Sequence, residues 1–488
     1  MGEEEIMALR KEKLARLRSA GIDPYPPRAE RTHTAKQAVE LLGDAQQLSE
    51  GVAVAGRVTA MRQMGKASFL DLRDVSGRIQ AYVKQESVGP EQYALLREID
   101  LGDFLGVQGT LFRTKTGEPT VEATKISVLA KALRPPPEKW HGLHDVEVRY
   151  RQRYLDLQAN QEVRDIFVTR SRVIGAIRRF LDSRGYLEVE TPILQGTAGG
   201  AAARPFVTYH NALDRQLSLR VALELYLKRL LIGGFDRVYE IGRVFRNEGV
   251  STKYNPEFTM LESYEAYGDY EKLMEMVEEM ISGAAGEVTG TTQVSYGDAT
   301  IEFAPPWPRI PLRDAIMEAS GVDFAAHPDA VSLRTAATAC GVAADPSWGR
   351  GKLIDELLTL HVEPKLLQPT FLIDYPIELS PLAKRKPGRP ELVERFEFFI
   401  CGREVGNAYT ELNDPLDQRA RFEEQARLQA AGDEEAEVVD EDFLAALEYG
   451  MPPAGGLGIG IDRLIMALTG VSSIREVILF PALRERHE

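Results

Sequence analysis

Cysteine is nearly absent. Two residues in 488, Cys340 and Cys401, cannot form a disulfide framework and fit the reducing conditions of the cytoplasm. Histidine is scarce too, and of seven only His141 and His144 lie close together. They fall in a stretch with proline and tryptophan, where packing or solvation suits them better than ligation, so a soft-ligand metal centre is not expected. Any metal here should be a hard cation held by carboxylates and phosphates. No apolar run is long enough to cross a bilayer, which argues against a membrane partner. The first residues, with Glu3, Glu4 and Glu5, have no apolar signal core, so export is not expected. Positive charge is outnumbered, with 59 Lys and Arg against 74 Asp and Glu and a net charge of −15. A nonspecific grip on DNA is thereby disfavoured, whereas RNA can still be met by a local basic patch. No internal repeat occurs.

What is there is a globular composition, 44% hydrophobic and 27% charged, in a chain long enough for two or more domains. From about Glu3 to Ala20 the pattern predicts a basic amphipathic helix. Ile6, Leu9, Leu14 and Leu17 oppose Arg10, Lys11, Lys13, Arg16 and Arg18, and Gly21 and Pro24 stop it. Its basic side is either a solvated surface or an arm that touches RNA. From Gly51 to about Leu129 short alternating strands with Gly and Asp turns predict a small β-barrel. Val52, Val54, Val58, Leu70, Leu72, Ile79, Ala81 and Val83 form its inward set, so Arg57, Phe69 and Gln80 project outward. An aromatic, an amide and a guanidinium on such a face suit single-stranded RNA, through stacking, a base edge and a phosphate. A stray exposed Phe is the ordinary alternative.

Leu133-Arg134-Pro135-Pro136-Pro137 is a stiff linker and the best domain boundary. Beyond it the pattern predicts a larger α+β unit. A helix around Val163–Leu181 ends at Gly185, and Pro192 closes a short strand. A second helix contains Glu224-Leu225-Tyr226-Leu227-Lys228. The mostly helical stretch from about Trp307 to Leu372 carries no obvious chemistry and reads as an insertion, and the acidic run near Gly432–Asp442 reads as a solvated loop.

Three constellations bear chemistry. Phe245-Arg246-Asn247-Glu248-Gly249 closes one strand, and Phe258, Met260, Glu262, Tyr264 and Ala266 share one face of the next. Arg246 suits a phosphate or carboxylate, and the acids and aromatics suit a nucleotide beside a cationic small molecule. An ordinary polar hairpin is the alternative. Glu397 and Glu404 straddle Cys401-Gly402, followed by Asn407, Tyr409 and Glu411 on one strand face. Two carboxylates near polyphosphate make a natural Mg²⁺ clamp, or else a solvated acidic pair. Their parity relative to Asn407 differs, so a turn or bulge must aim them. Gly455-Gly456-Leu457-Gly458-Ile459-Gly460-Ile461-Asp462-Arg463 is a glycine-rich strand entering a helix, where backbone can approach an anionic ligand. It lacks the spacing of the Rossmann and Walker loops, which argues against both.

In this order, Arg184–Pro192, Phe245–Phe258 and Gly455–Arg463 resemble the three signature motifs of the class II aminoacyl-tRNA synthetases. Phe-Arg-Asn-Glu-Gly at 245–249, Leu-Glu-Leu-Tyr-Leu-Lys-Arg at 223–229, Arg-Phe-Glu-Phe-Phe at 395–399 and Asn-Ala-Tyr-Thr-Glu-Leu-Asn-Asp at 407–414 are similar to the lysine-specific members of bacterial type. The likeness covers nearly the whole chain, including Met64-Gly65-Lys66-Ala67-Ser68-Phe69 in the barrel. Tyr254 and Ala454 depart from the usual His and Thr. The resemblance implies a helical extension at 1–35, an OB-fold anticodon-binding barrel at 36–134, a linker at 135–148 and an antiparallel-sheet α+β catalytic domain at 149–488, with the helical insertion at about 307–372. It implies activation of L-lysine by ATP to lysyl-adenylate and transfer to the 3′ end of tRNA(Lys), in a cytoplasmic homodimer that uses Mg²⁺, more than one ion per site.

On this resemblance Arg246 and Arg463 are the catalytic residues. ATP is expected to meet Arg246, Glu248, Asn255, Phe258, Glu397, Glu404 and Arg463. Phe258 and Arg463 would stack the adenine, and Glu397 and Glu404 would hold the metal. Gly200 and Glu224 are expected at the α-amino group of lysine, and Arg246 and Asn407 at its carboxylate. Glu262, Tyr264 and Glu411 are expected at its ε-ammonium, with Tyr409 and Gly458 lining the pocket. Arg57, Phe69, Gln80 and Glu118 are expected to read the anticodon. An aspartate or asparagine ligase shares the architecture, but glutamates in place of basic residues at 262 and 411 argue against it. A non-catalytic RNA-binding regulator predicts erosion at Arg246, Glu397, Glu404 or Arg463, and all four are present. A ligase that lysylates protein would not need Phe69 and Gln80 on the barrel.

Overall fold

The computed structural model describes residues 2–136, 143–201, 203–430 and 439–485; His141 and most of the acidic run lie outside them. Two compact units form, Met1–His144 and Asp145–Glu488.

The first unit opens with α1 (Glu3–Ser19), whose first turn carries Glu3, Glu4 and Glu5 and whose last carries Arg16 and Arg18, matching charge to the helix dipole. Part of its basic face is tied down within this unit, while Lys11 and Arg18 stay exposed. Arg10 is buried and donates to the carbonyls of Leu101, Ala132 and Arg134, Lys13 pairs with Asp100 at 2.7 Å, and Arg16 pairs with Glu98 at 3.0 Å. Leu14 and Leu17 are buried while Leu9 stays exposed. A short helix α2 (Ala35–Leu42), capped reciprocally by Thr34 and Gln37, leads into β1 (Gln47–Met64), β2 (Ala67–Arg73), β3 (Arg78–Lys84), β4 (Phe104–Arg113) and β5 (Pro119–Ala130). These close into a barrel in the order β1-β2-β3-β5-β4, and β3 and β5 run parallel. The predicted inward aliphatics are all buried in it.

In the second unit, α3 (Gln161–Ser183) ends before Gly185, whose φ of +77° turns the chain into β6 (Leu187–Glu188). A three-stranded sheet follows, built from β7 (Leu194–Gln195), β8 (Val207–His210) and β9 (Arg215–Leu219) in the order β7-β9-β8. Then come α4 (Glu224–Ile232), the hairpin of β10 (Arg237–Phe245) and β11 (Glu257–Ala266), and α5 (Tyr270–Thr289). The main sheet is completed by β12 (Arg309–Pro311), β13 (Thr370–Pro376), β14 (Arg389–Ile400), β15 (Arg403–Thr410) and β16 (Ala454–Gly460). Its order is β12-β13-β14-β15-β16-β11-β10-β6, antiparallel except at the β12–β13 and β10–β6 pairs.

Alternation divides this sheet into two chemically different faces. Leu261, Phe396, Phe398, Ala408, Leu457 and Ile459 pack against α3, α5 and α10 (Ile461–Thr469) in the main core. The opposite face carries the polar residues of the site. It is flanked by α4 and α9 (Glu441–Glu448); Leu223 at the cap of α4, Leu227, Phe443 and Leu444 form a second cluster with Tyr264. The helical insertion is narrower than its composition implied. Arg309–Pro311 and Thr370–Pro376 are strands of the main sheet, so the inserted helices α6 (Leu312–Ser320), α7 (Ala330–Ala339) and α8 (Arg350–Leu357) lie between them. Trp307 and Phe371 meet as a tilted ring pair in the main core, 5.2 Å between centroids.

Candidate active site

Register across the sheet brings distant residues into adjacent rows. Glu262, Gly458, Asn407 and Glu397 lie side by side on β11, β16, β15 and β14. Two residues along, Tyr264, Gly456, Tyr409 and Arg395 form the next row. The middle strand has to be glycine at 456, because a Cβ there would strike the Glu411 carboxylate and the Tyr264 ring. At Gly458 an added Cβ would stand 3.5 Å from Met260 and 3.9 Å from Glu262, within the same floor.

Three buried carboxylates line one end of this floor. Glu262 accepts the Leu223 N–H at 2.9 Å and the Tyr264 hydroxyl at 3.0 Å. Glu224, in the first turn of α4, accepts the Tyr409 hydroxyl at 2.7 Å and the Lys228 ammonium at 2.5 Å. The same ammonium lies 2.5 Å from Glu411. Gly200, at φ +85°, sits against Glu224, where a Cβ would approach the Glu224 Cβ to 3.1 Å. Burial pushes the Glu262 carboxyl up to about 7, with Glu224 adding to the effect and the Leu223 N–H, Tyr264 and Arg246 opposing it. Burial likewise drives Glu411 up to about 8, against the pull of Lys228. Burial also works against the charge on Lys228, but Glu224 and Glu411 outweigh it and hold that ammonium above the ordinary lysine range. One ammonium among three carboxylates leaves this end short of positive charge.

The other end is built from guanidiniums, aromatics and acids. Arg246 follows β10, its Nε 3.4 Å from the Val221 carbonyl and its guanidinium 5.1 Å above the Phe258 ring. Arg463, in the first turn of α10, donates to the Glu404 backbone carbonyl (2.8 Å) and carboxylate (3.2 Å), and lies 6.0 Å from the Tyr254 ring. Glu248 is exposed on the loop. Asn255 is buried, its amide bonded to the Glu257 carbonyl at 2.6 Å and the Ala482 N–H at 3.0 Å, so its side chain holds the loop in shape.

Glu397 accepts the Tyr375 hydroxyl at 2.7 Å and the Arg395 guanidinium at 2.6 Å. Burial pushes its carboxyl up to about 7, with Arg395 opposing and Glu404 adding. A bulge between Phe398 and Phe399 supplies the change of aim that the parity of Glu397 and Glu404 demanded. Between them Cys401 (φ 55°) and Gly402 (φ 70°) make a two-residue turn with both residues left-handed.

Comparison with known proteins shows the family. Residues 145–484 match the family described as tRNA synthetases class II (D, K and N), and residues 52–129 match the OB-fold nucleic acid binding domain. The chain is 55% identical to a lysine–tRNA ligase of Dehalococcoides mccartyi, covering 100% of this chain and 99% of that one. It is 56% identical to one from Moorella thermoacetica, covering 100% and 99%, and 54% identical to one from Roseiflexus castenholzii, covering 99% of each. The chain belongs to the class II lysine–tRNA ligase family.

Of the residues that the family resemblance assigns to the barrel, all are on or beside its outer face, but not equally free. Phe69 stacks on Tyr82 at 4.5 Å between centroids. Arg57 donates to the Gly102 carbonyl at 2.9 Å and lies 4.3 Å above the Phe104 ring. Glu118 pairs with Arg78 at 2.5 Å. Gln80 is on the outward row beside Asp71, yet only 6% exposed, with its carbonyl accepting the Thr120 hydroxyl at 3.1 Å. The expected open amide is therefore a covered one, held by the neighbouring strand.

Several site residues escaped the motif reading. Lys228 had a signal, since its i,i+4 spacing from Glu224 puts both on one helix face. Arg395 had one too, two residues before Glu397 on a strand. Asp355 and Glu363 of the insertion had none. Burial raises both carboxyls, Glu363 to about 7, and Glu404 is among the charges each feels. The insertion therefore brings two further acids within electrostatic reach of Glu404.

Proposed function

We propose that this face activates L-lysine with ATP and that the barrel selects tRNA(Lys) as the acceptor. The observation that carries the reading is the buried set Glu224, Glu262 and Glu411 with a single internal ammonium, a pocket that favours a cationic guest. Glu262, Tyr264 and Glu411 receive the ε-ammonium, and Glu224 with the Gly200 backbone receives the α-amino group. Asn407 and Arg246 hold the carboxylate, Tyr409 walls the stem, and Gly458 leaves room for it. Arg246 and Arg463 neutralise the charge that grows as the lysine carboxylate attacks the α-phosphate, giving lysyl-adenylate and pyrophosphate. Phe258 and Arg463 enclose the adenine, and Glu248 and the loop anchored by Asn255 border it. The 3′-terminal ribose hydroxyl of tRNA then takes the lysyl group. Positioning and charge stabilisation suffice, without a covalent protein nucleophile.

Glu397 and Glu404 fit Mg²⁺: both are hard oxygen donors, Glu397 feels the charge of Glu404, and Tyr375 and Arg395 feel both. Among the described residues no group of three His, Cys, Asp or Glu is gathered as a ready cage, which favours ions that arrive with phosphate oxygens. When bound, Mg²⁺ would withdraw negative charge from the polyphosphate. No described helix is long and apolar enough to cross a membrane, in keeping with a cytoplasmic enzyme. Leu187, Ile193, Leu194, Val207, Tyr209 and Leu213 are large, apolar and exposed on and around the three-stranded sheet, which supports a homodimer through this face. Pyrophosphate exchange measured with each amino acid tests the assignment. Lysine should support turnover and aspartate should not, and the reverse result would overturn it.

A further inference from the structure

One buried cation touches both acids assigned to opposite ends of the substrate. Lys228 Nζ stands 2.5 Å from Glu224 and 2.5 Å from Glu411, and the rings of Tyr409 (5.5 Å) and Phe443 (5.8 Å) close over it. Its side chain has no exposed surface, so solvent cannot share the contact. The groups facing it are Glu224 from its own helix, Tyr409 of β15 and Glu411 just beyond, and the Phe443 ring of α9. Glu262 and Tyr264 of β11 stand behind the two acids. An ammonium shared by two carboxylates fixes their separation and cancels one of the pocket's negative charges.

We infer that Lys228 is a positioning residue that sets specificity for diamino acids: it spaces Glu224 and Glu411 like the ends of a ruler and leaves a charge balance that two incoming ammonium groups complete. This rests on the proposed placement of the α-amino group at Glu224 and the ε-ammonium at Glu411. The pocket holds three carboxylates and one internal ammonium, lysine adds two more, and Arg246 answers the substrate carboxylate. An amino acid with one ammonium leaves a buried carboxylate unpaired, which must take a proton to be tolerated. A shorter diamino acid satisfies the charge but not the spacing. Without Lys228 the carboxylates repel one another unrelieved, so each holds its proton to higher pH.

The test uses Lys228→Met and Lys228→Arg in the full-length protein, with pyrophosphate exchange from pH 6 to 9.5 and thermal melts to confirm folding. In the unaltered enzyme the KM for lysine should fall as pH rises through about 8, where Glu411 ionises. Lys228→Met should move that fall up by about one pH unit, roughly tenfold in KM at a fixed pH, with the KM for ATP unchanged. Lys228→Arg, which keeps the charge but alters the reach, should keep the profile and lower the lysine-over-ornithine ratio of kcat/KM. A folded Lys228→Met enzyme with an unmoved profile and a uniformly lower kcat overturns the inference. Should Lys228→Met not fold, an unchanged lysine-over-ornithine ratio in Lys228→Arg overturns it instead. A flat profile in the unaltered enzyme would fault the underlying assignment of the acids, a separate failure.

Discussion

A carboxyl raised to about 7 at Glu262 and about 8 at Glu411 is partly protonated at neutral pH, and an arriving ammonium stabilises only its ionised form. Lysine binding should therefore release protons. Both values lie above the ordinary carboxyl value of about 4.3, so between that pH and about 8 the folded protein binds more protons than its unfolded chain. Its stability consequently falls as pH rises through this window, and bound lysine removes the cause. The rise in thermal midpoint on saturation with lysine should be larger at pH 8.5 than at pH 6, and calorimetric titration near pH 7.5 should register net proton release. Equal stabilisation at both pH values would mean that the acids do not meet the ammonium. At the proposed nucleotide end the residue to test is Arg246, because a planar fork can hold a phosphate and a carboxylate at once. Arg246→Lys keeps the charge and loses the fork. Exchange should slow by about 10²–10³, roughly 2.7–4 kcal/mol of transition-state stabilisation, as for loss of an oxyanion donor.

Among the elements, the β14–β15 hairpin decides where the two metal-suited carboxylates point. Its turn asks Cys401 and Gly402 to take left-handed backbone, which glycine does without strain. Gly402→Val should cost about 1–3 kcal/mol in denaturant unfolding, and by disturbing Glu404 it should raise the KM for ATP more than that for lysine. Equal effects on both substrates would locate the damage elsewhere. This hairpin also marks how far local pattern carries. Period-two alternation was enough to put Glu262 with Tyr264 and Asn407 with Tyr409, because each pair shares one strand. It could not say that Glu262 and Asn407 flank Gly458, since that depends on how β16 registers with two strands distant from it along the chain. The bulge at Phe398/Phe399 was required by parity, but its position was not written in any turn residue. The insertion was misjudged at both ends for a related reason: β12 is only three residues, the apolar run of β13 is short, and periodicity does not separate such strands from helix. Gln80 sits on the predicted face, yet only the pairing of β3 with β5 brings Thr120 over it.

At the scale of the whole molecule, amino-acid chemistry and RNA recognition belong to different units, which allows them to be separated by mutation. Phe69→Ala removes the stacking ring of the barrel, and stacking is worth about 1–3 kcal/mol per base. It should weaken tRNA charging by roughly tenfold or more while pyrophosphate exchange proceeds at the original rate; an unchanged charging rate would refute the anticodon role. The apolar strip of the catalytic unit poses a different question, because it is wired to the site. Arg220 is buried and donates to the Thr191 carbonyl (3.1 Å), the Glu240 carboxylate (2.6 Å) and the Arg243 carbonyl (2.8 Å), while the Thr191 hydroxyl donates to Glu240 at 2.6 Å. The segment that carries exposed Ile193 and Leu194 is thereby tied to β10, and β10 ends where Arg246 begins. Loosening one should be felt at the other. If the proposed homodimer forms through this strip, Val207→Glu, placed in it but outside the network, should give a folded monomer in sedimentation at micromolar concentration, because a charge without a partner is costly in an apolar interface. If that interface holds the Thr191–Arg220–Glu240 frame in place, exchange by the monomer should drop at least tenfold, about 1.4 kcal/mol. A monomer that exchanges at the full rate would show that the strip joins subunits without supporting Arg246.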